Sequence, residues 1–291
     1  EDLPMRKVNE LFMELLYGDQ PAGWDIGGTK EVVRSLTKNQ LGAYRTAHYV
    51  PQATVVVVAG AFDEAEIIKK ITATFGAIPV GEKSAKRAVT EYQTAPQVFV
   101  KNKKVDQTHI MLGCRAFSTF DSRRFALEVL SDILGGGMSS RLFQKVREEL
   151  GAAYYVRSGV DLFTDHGFLA INSGVDQTKI LAVIKAIVEE MQIVKDELVP
   201  DAELRRAKNH LVGRIILGLE ASDELASFYG AQEIAGENLM SPQELVEKLE
   251  AVTAEDIRNV ARDIFMDDQL NMAVIGPLAS DAELRTALRF G

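Results

Sequence analysis

Two stretches of the chain contain the same landmarks in the same order, and this internal repeat constrains the fold more than any other feature. In each copy a Leu-Thr or Val-Thr pair precedes a helical pattern, an apolar run ending in glycine follows, and a second helical pattern ends in Phe-Gly. The offset is 216 residues from Leu36 to Val252, and 215 from Phe75 to Phe290. Two homologous domains in tandem are therefore expected.

The two copies differ in extent. The second copy spans residues 97–291. The first copy lacks its beginning, because its first residues correspond to residues 213–219 of the second copy. Roughly 115–120 residues of the first copy are therefore expected to precede this chain in a longer parent protein. We predict an α+β fold of tandem two-layer α/β sandwich domains. Residues 1–80 would close an incomplete first domain, residues 81–96 would form a linker, and residues 97–291 would form a complete second domain.

Local patterns supply the elements of both copies. Residues 3–17 carry Pro4 in the first turn and apolar residues at helical spacing, which predicts an amphipathic helix. Thr37 and Gln40 have the spacing of a capping box that starts another helix. Residues 54–60 are a β-branched run that ends in glycine and lacks polar alternation, which predicts a strand buried on both faces. A helix over 139–150 and strands at 97–102, 107–115, 154–163, 167–175 and 270–276 complete the pattern.

Composition excludes several classes of partner. The chain has 33 basic and 42 acidic residues, a net charge of −9, and no long basic run, which argues against nucleic-acid binding and leaves peptides as plausible partners. No apolar run reaches the ~20 residues of a membrane span. The single cysteine, Cys114, cannot form an intrachain disulfide and favours a reducing, cytoplasmic compartment. The sequence leaves open whether the parent protein has a signal peptide upstream of Glu1.

The histidines do not form a metal motif. A zinc hydrolase needs converging ligands, most simply two histidines four residues apart on a helix. The four histidines are separated by at least 44 residues, and we expect no metal bound to this chain. His109 lies in an apolar strand and is expected to be a core or sheet residue. The other three, His48, His166 and His210, are expected at the surface or in loops.

Chemistry-bearing side chains concentrate in residues 134–156, which predict a loop, a helix, a turn and a strand. Arg147 lies near the end of the helix and Tyr154 opens the strand, so a tight turn would bring guanidinium and phenol together. Such a pair can hold a peptide carbonyl or stabilise a developing oxyanion. In the alternative interpretation Arg147 pairs with a nearby carboxylate and Tyr154 packs into the fold.

This segment closely resembles the second-domain motif of the pitrilysin/insulinase zinc metallopeptidases, especially the mitochondrial-processing-peptidase-like branch. The shared features are small glycines, Ser-Ser-Arg-Leu-Phe-Gln, Arg-Glu, a glycine, and a tyrosine seven residues after the arginine. Residues 1–60 resemble the family's region just beyond its third zinc ligand, through Glu-Asp-x-Pro, Tyr-Gly-Asp-x-Pro, Gly-Thr, Leu-Thr and Val-Val-Val-Ala-Gly. The resemblance extends over almost the whole chain.

The resemblance implies half of a clamshell-shaped peptidase. An inverted His-x-x-Glu-His motif and a further Glu would bind zinc, and the motif's Glu would act as general base to a zinc-bound water. The chain lacks this motif, and the equivalent slot in the second domain, residues 127–133, has no histidine. The family's Arg and Tyr reach the scissile peptide, and Arg147 and Tyr154 match them as catalytic residues. Tyr155 is expected to point to the opposite face of the strand.

The sequence therefore predicts a fragment of a zinc-dependent metalloendopeptidase that hydrolyses short or unfolded peptides. The fragment would supply the chamber wall and the Arg147/Tyr154 pair, and alone it would be inactive. The resemblance implies an extended substrate peptide, and as protein partner either the missing N-terminal part or a homologous second subunit in a dimer. The alternative is a zinc-free partner or scaffold subunit of a heteromeric peptidase. A simple peptide-binding module explains fewer of the residues.

Overall fold

The computed structural model describes residues 3–278 and 280–290. Glu1 and Asp2 of the Glu-Asp-x-Pro match, and Gly291 of the repeat, lie outside the described residues. The chain divides into two compact units. The sheet unit comprises Glu1–Asp25, Ala88–Val212 and Val246–Gly291, and the helical unit comprises Ile26–Arg87 and Gly213–Leu245.

The α+β class is confirmed. The helices are α1 (Pro4–Tyr17), α2 (Lys30–Ser35), α3 (Lys38–His48), α4 (Glu64–Phe75), α5 (Arg124–Gly135), α6 (Ile180–Asp196), α7 (Asp201–Gly218), α8 (Ser222–Ala235), α9 (Pro242–Glu250), α10 (Ala254–Ile264) and α11 (Ala282–Ala287). The strands are β1 (Gln97–Asn102), β2 (Thr108–Ala116), β3 (Ala153–Leu162), β4 (Gly167–Val175) and β5 (Leu270–Gly276). No helix among the described residues is both long and apolar enough to cross a lipid bilayer.

One five-stranded mixed sheet forms the centre of the sheet unit, with strand order β1-β5-β2-β4-β3. β1 and β5 run parallel, and the other neighbouring pairs are antiparallel. β5 occupies an inner position and all seven of its residues are buried, which explains its apolar composition. β3 lies at one edge of the sheet, so the segment that contains Tyr154 has a sheet neighbour on one side only.

Helices cover both faces of this sheet. α1 buries Val8 and Phe12 in a cluster with Met111 and Phe168, and the rings of Phe12 and Phe168 meet edge to face at 5.7 Å. Each such buried side chain contributes about 1.5–3 kcal/mol of burial free energy. Helices α5, α6 and α10 pack with one another, and α5 contacts β3 and β4. Helix α1 falls in the range predicted for the first domain but packs on the sheet of the predicted second domain. The domain limits given above, 1–80 for the first domain, 81–96 for the linker and 97–291 for the second domain, therefore remain a prediction.

The repeat is visible in local structure. Both α3 and α10 have 11 residues and begin with a complete capping box, Thr37/Gln40 in one and Thr253/Asp256 in the other. A short 3₁₀ turn follows each helix at the same offset, over Pro51–Ala53 and Asp267–Gln269. The capping signals therefore predicted these helix starts correctly, because a cap depends on only a few neighbouring residues.

The predicted strand over residues 54–60 is wrong for this structure. These residues belong to neither helix nor strand, and Val55, Val56, Val57 and Val58 are 37–41% exposed. A strand requires a hydrogen-bonded neighbour, and the structure has no strand within residues 26–87. The equivalent residues of the second copy form β5, which lies between two strands. The same local pattern thus has a different outcome because the neighbours differ.

Candidate active-site segment

The helix that carries Arg147 has an unusual winding. A helix was predicted over residues 139–150, and the structure forms a π-helix over Phe143–Glu149. Its end is marked by the Leu150 amide, which donates to the Lys145 carbonyl at 3.1 Å, five residues back. Short π-helical turns occur often at functional sites, because the extra residue changes the direction in which side chains leave the helix. Nothing in the residue pattern distinguished this winding from an α-helix.

A tight turn connects the π-helix to β3. Gly151 has a φ of 51°, in the left-handed region that favours glycine. The Lys179 ammonium donates to the carbonyls of Leu150 and Gly151 at 3.0 and 3.1 Å, so a positive charge lies at the C-terminal end of the helix. The Ala152 amide donates to the Val146 carbonyl at 3.0 Å and closes the turn.

A β-bulge places Tyr154 at the start of β3. Ala153 pairs with Val175 and Tyr155 pairs with Gly174, so Tyr154 is an additional residue without a partner in the register. A bulge redirects a side chain and occurs preferentially at sheet edges. Tyr154 is 59% exposed. Its side chain therefore lies at the surface of the sheet unit and does not pack in its core.

The turn brings the two predicted catalytic residues together through one hydrogen bond. The Arg147 guanidinium donates to the main-chain carbonyl oxygen of Tyr154. Arg147 is itself exposed, and its guanidinium carbon lies 5.3 Å from the centre of the Phe143 ring. Among the described residues no carboxylate pairs with Arg147. The structure therefore differs from the alternative interpretation, in which Arg147 pairs with a carboxylate and Tyr154 packs into the fold.

Tyr155 has a different environment. Its hydroxyl lies 3.0 Å from Nδ1 of His109 on β2, and Ser173 Oγ donates to its carbonyl oxygen at 2.9 Å. Burial raises the pKa of Tyr155 to about 12 and lowers the pKa of His109. Tyr155 is thus less exposed than Tyr154, and its predicted orientation toward the opposite face of the strand stays a prediction. His109 is a half-buried sheet residue, as predicted.

The other histidines form no metal centre. His166 lies in the loop between β3 and β4, as expected, but it is buried rather than at the surface: Nδ1 lies 2.7 Å from Asp165, and the ring stacks on Phe163. Nδ1 of His210 lies 2.7 Å from buried Asp132, beside a cavity of about 370 Å³. No group of three or more metal-binding side chains occurs within 3–278 and 280–290. A His–Asp pair supplies too few ligands for zinc, which takes four in a structural site or three and a water in a catalytic one.

Neither the His210–Asp132 pair nor the burial of His166 was apparent in the sequence. His210 and Asp132 are 78 positions apart, and no local spacing links them. The glycines before Met138 are the one indirect sign in the sequence of where Asp132 lies. A Cβ on Gly136 would lie 2.1 Å from Asp132 Oδ1, so this glycine is needed for the close approach of the carboxylate. Cys114 is fully buried, and burial raises the pKa of its thiol, which is typical of an unreactive cysteine.

Comparisons with known proteins agree with this architecture. The profile described as "Peptidase M16 inactive domain" matches residues 35–211. An uncharacterized zinc protease of Streptomyces coelicolor is 34% identical over 96% of this chain and 62% of its own length. A second, from Mycobacterium leprae, is 33% identical over 99% of this chain and 65% of its own length. The chain thus spans less than two thirds of the length of these relatives.

Solved structures share the fold at lower identity. A protease from Helicobacter pylori superposes with a TM-score of 0.86 at 20% identity, covering 94% of this chain and 67% of that one. A peptidase M16 inactive domain from Pseudomonas fluorescens has a TM-score of 0.83 at 22% identity, covering 95% of this chain and 66% of that one. The mitochondrial-processing-peptidase-like branch stays a prediction. From the profile match and the relatives together, the chain belongs to the M16 family of peptidases.

Proposed function

We propose that this chain is part of a zinc-dependent metalloendopeptidase that hydrolyses short or unfolded peptides, and that Arg147 and Tyr154 act on the scissile peptide bond. The observation that carries the proposal is the hydrogen bond from the Arg147 guanidinium to the Tyr154 carbonyl, made at a bulge where both side chains are exposed. The zinc-protease names of the relatives support the reaction class.

The two side chains have suitable chemistry for this role. A guanidinium has five N–H donors, and the contact with Tyr154 occupies only part of them. The phenol hydroxyl adds another donor. Directed together at a peptide carbonyl, the two groups would hold it and would stabilise the negative charge that develops on its oxygen during hydrolysis. The carbonyl link fixes the position of the guanidinium relative to the start of β3.

The described residues do not fit a zinc site, so this proposal assigns no zinc ligand to them. The metal would belong to another part of the parent protein, as the resemblance implies. The function of this chain would then be to bind and orient the peptide and to supply hydrogen-bond donors.

Exposed apolar surfaces in the helical unit support the proposal that its fold is completed by other residues. Helices α2, α3 and α4 contain no buried residue. In α10, Ile257 and Val260 are buried, whereas their repeat counterparts in α3, Leu41 and Tyr44, are 57% and 61% exposed. Apolar faces of this extent are typical of a surface that another segment covers.

The repeat indicates what this segment would contain. β5 pairs with β1 in parallel and with β2 in antiparallel orientation. Residues 54–60 would likewise lie between two strands, counterparts of β1 and β2, in the first-domain residues upstream of this chain. This arrangement would complete the predicted first domain, with residues 1–80 as its closing part.

Peptide turnover by the full-length parent protein tests the proposal. Arg147→Ala and Tyr154→Phe are each expected to lower kcat/KM for a quenched fluorescent peptide by roughly 10²-fold, the effect of losing one oxyanion donor. Tyr92→Phe serves as a matched control, because Tyr92 is 76% exposed and lies outside this segment. Unchanged turnover in both variants, with folding intact by circular dichroism, would reject the role of the pair.

A further inference from the structure

Three paired residues form a row across the sheet directly beside Tyr154. Tyr155 on β3 pairs with Gly174 on β4, and Gly174 pairs with His109 on β2. The Tyr155 hydroxyl lies 3.0 Å from His109 Nδ1, so the tyrosine side chain spans the intervening strand. Gly174 permits this contact: a Cβ at this position would lie 2.4 Å from Cε1 of Tyr155. At that separation the ring has to move.

The main chain of Tyr155 is anchored as well. Ser173 is fully buried, and its hydroxyl donates to the Tyr155 carbonyl oxygen at 2.9 Å. The residue that follows the bulge is therefore held at three points: the carbonyl oxygen, the ring and the hydroxyl. Tyr154 has no register partner of its own, so its position depends on the residues on either side of it.

We infer that Tyr155 and His109 are positioning residues, whose hydrogen bond across Gly174 holds the bulge in the conformation that presents Tyr154 and its carbonyl to Arg147. Neither residue contacts the peptide in this account, and the inference rests on the function proposed above. Burial keeps both groups in their uncharged forms near neutral pH, because it raises the pKa of Tyr155 and lowers that of His109.

Two substitutions in the full-length parent protein weaken the row in different ways. Tyr155→Phe removes the hydroxyl and keeps the ring, and is expected to lower kcat about fivefold with KM changed less than about twofold. Gly174→Ala displaces the ring and is expected to lower kcat by up to about 10²-fold, the effect of a displacement of about 1 Å near the reacting atoms. Adding Tyr155→Phe to Gly174→Ala should cause little further loss, because both act on one contact.

Gly159→Ala is the matched control. Gly159 also lies in β3, but a Cβ there would meet no atom within 4 Å. Hydrogen exchange of residues 152–156, measured by mass spectrometry, supplies a readout independent of turnover. Tyr155→Phe and Gly174→Ala are expected to accelerate exchange there at least tenfold, and Gly159→Ala is expected to leave it unchanged.

The outcomes separate the two proposals. If Arg147→Ala and Tyr154→Phe lower turnover but Tyr155→Phe and Gly174→Ala match the control, the positioning role is overturned and the proposed function stands. If Arg147→Ala and Tyr154→Phe leave turnover unchanged, the proposed function fails and the positioning role fails with it. Slower turnover in all four variants, with faster exchange in the two row variants, supports both proposals.

Discussion

The guanidinium of Arg147 donates a hydrogen bond to the main-chain carbonyl oxygen of Tyr154, seven residues further along the chain. This contact joins the π-helix to the bulge across the turn at Gly151. A displacement of the helix end therefore moves the guanidinium and the start of β3 together. The pair behaves as one structural feature, although its two members lie in different elements.

Arg147→Lys is expected to retain less than about one tenth of the parent protein's kcat/KM. An ammonium is a point charge on a flexible stem, and it cannot bond the Tyr154 carbonyl while directing a second donor in a fixed geometry. Arg157→Lys, at an exposed site on β3, is the control for a substitution that conserves charge. It is expected to change kcat/KM less than about twofold. Equal activity of Arg147→Lys and the wild type would show that the geometry of the guanidinium is not required.

Gly151→Ala is expected to lower the unfolding free energy by about 1 kcal/mol, because alanine adopts the left-handed conformation at φ 51° less readily than glycine. A Cβ at Gly151 meets no atom within 4 Å, so the effect is conformational and does not arise from a clash. Urea denaturation provides the measurement. Gly159→Ala, which also has free space, should be neutral or stabilising; equal losses in both would contradict a conformational cause.

His210→Leu is expected to destabilise the protein by roughly 1 kcal/mol, since it removes a hydrogen bond to the buried carboxylate of Asp132. His48→Leu is the comparison, because His48 is exposed and its ring contacts that of exposed Tyr44. Thermal unfolding should show a lower Tm for His210→Leu than for His48→Leu. The reverse order would indicate that the Asp132 contact contributes little to stability.

The two capping boxes should differ in their dependence on pH. Hydrogen bonds from the Thr253 hydroxyl and amide lower the pKa of Asp256, so its contribution to stability is present at neutral pH and is lost as the pH falls through its folded-state pKa. Asp256→Asn should therefore destabilise the protein at pH 7, by less than about 1 kcal/mol, and progressively less below about pH 4. Gln40 occupies the same position in α3 without a charge, so the effect of Gln40→Ala should not vary over this range.

Local signals were sufficient for much of the fold. Pro4 and apolar spacing predicted α1, and the capping box of Thr37 and Gln40 predicted the start of α3. Features that depend on pairing were not predictable in this way. The valines at 55–58 have strand character but no adjacent strand in the structure, so the predicted strand does not form.

The candidate site shows the same division. The order of elements placed Arg147 and Tyr154 near one turn, and the structure brings the guanidinium to the Tyr154 main chain. The π-helix and the bulge, which fix the directions of the two residues, were not predicted. Each results from a shift of one residue in hydrogen-bond register, and such a shift is determined by packing against the rest of the sheet unit.

A double-mutant cycle in the full-length parent protein tests the central claim most directly. Peptide kcat/KM is measured for the wild type, Arg147→Ala, Tyr154→Phe and the double variant. Our account predicts a loss of roughly 10²-fold in each single variant and little further loss in the double variant, because the two donors act on one developing charge. Wild-type turnover in all three variants, or losses that multiply in the double variant, would contradict it.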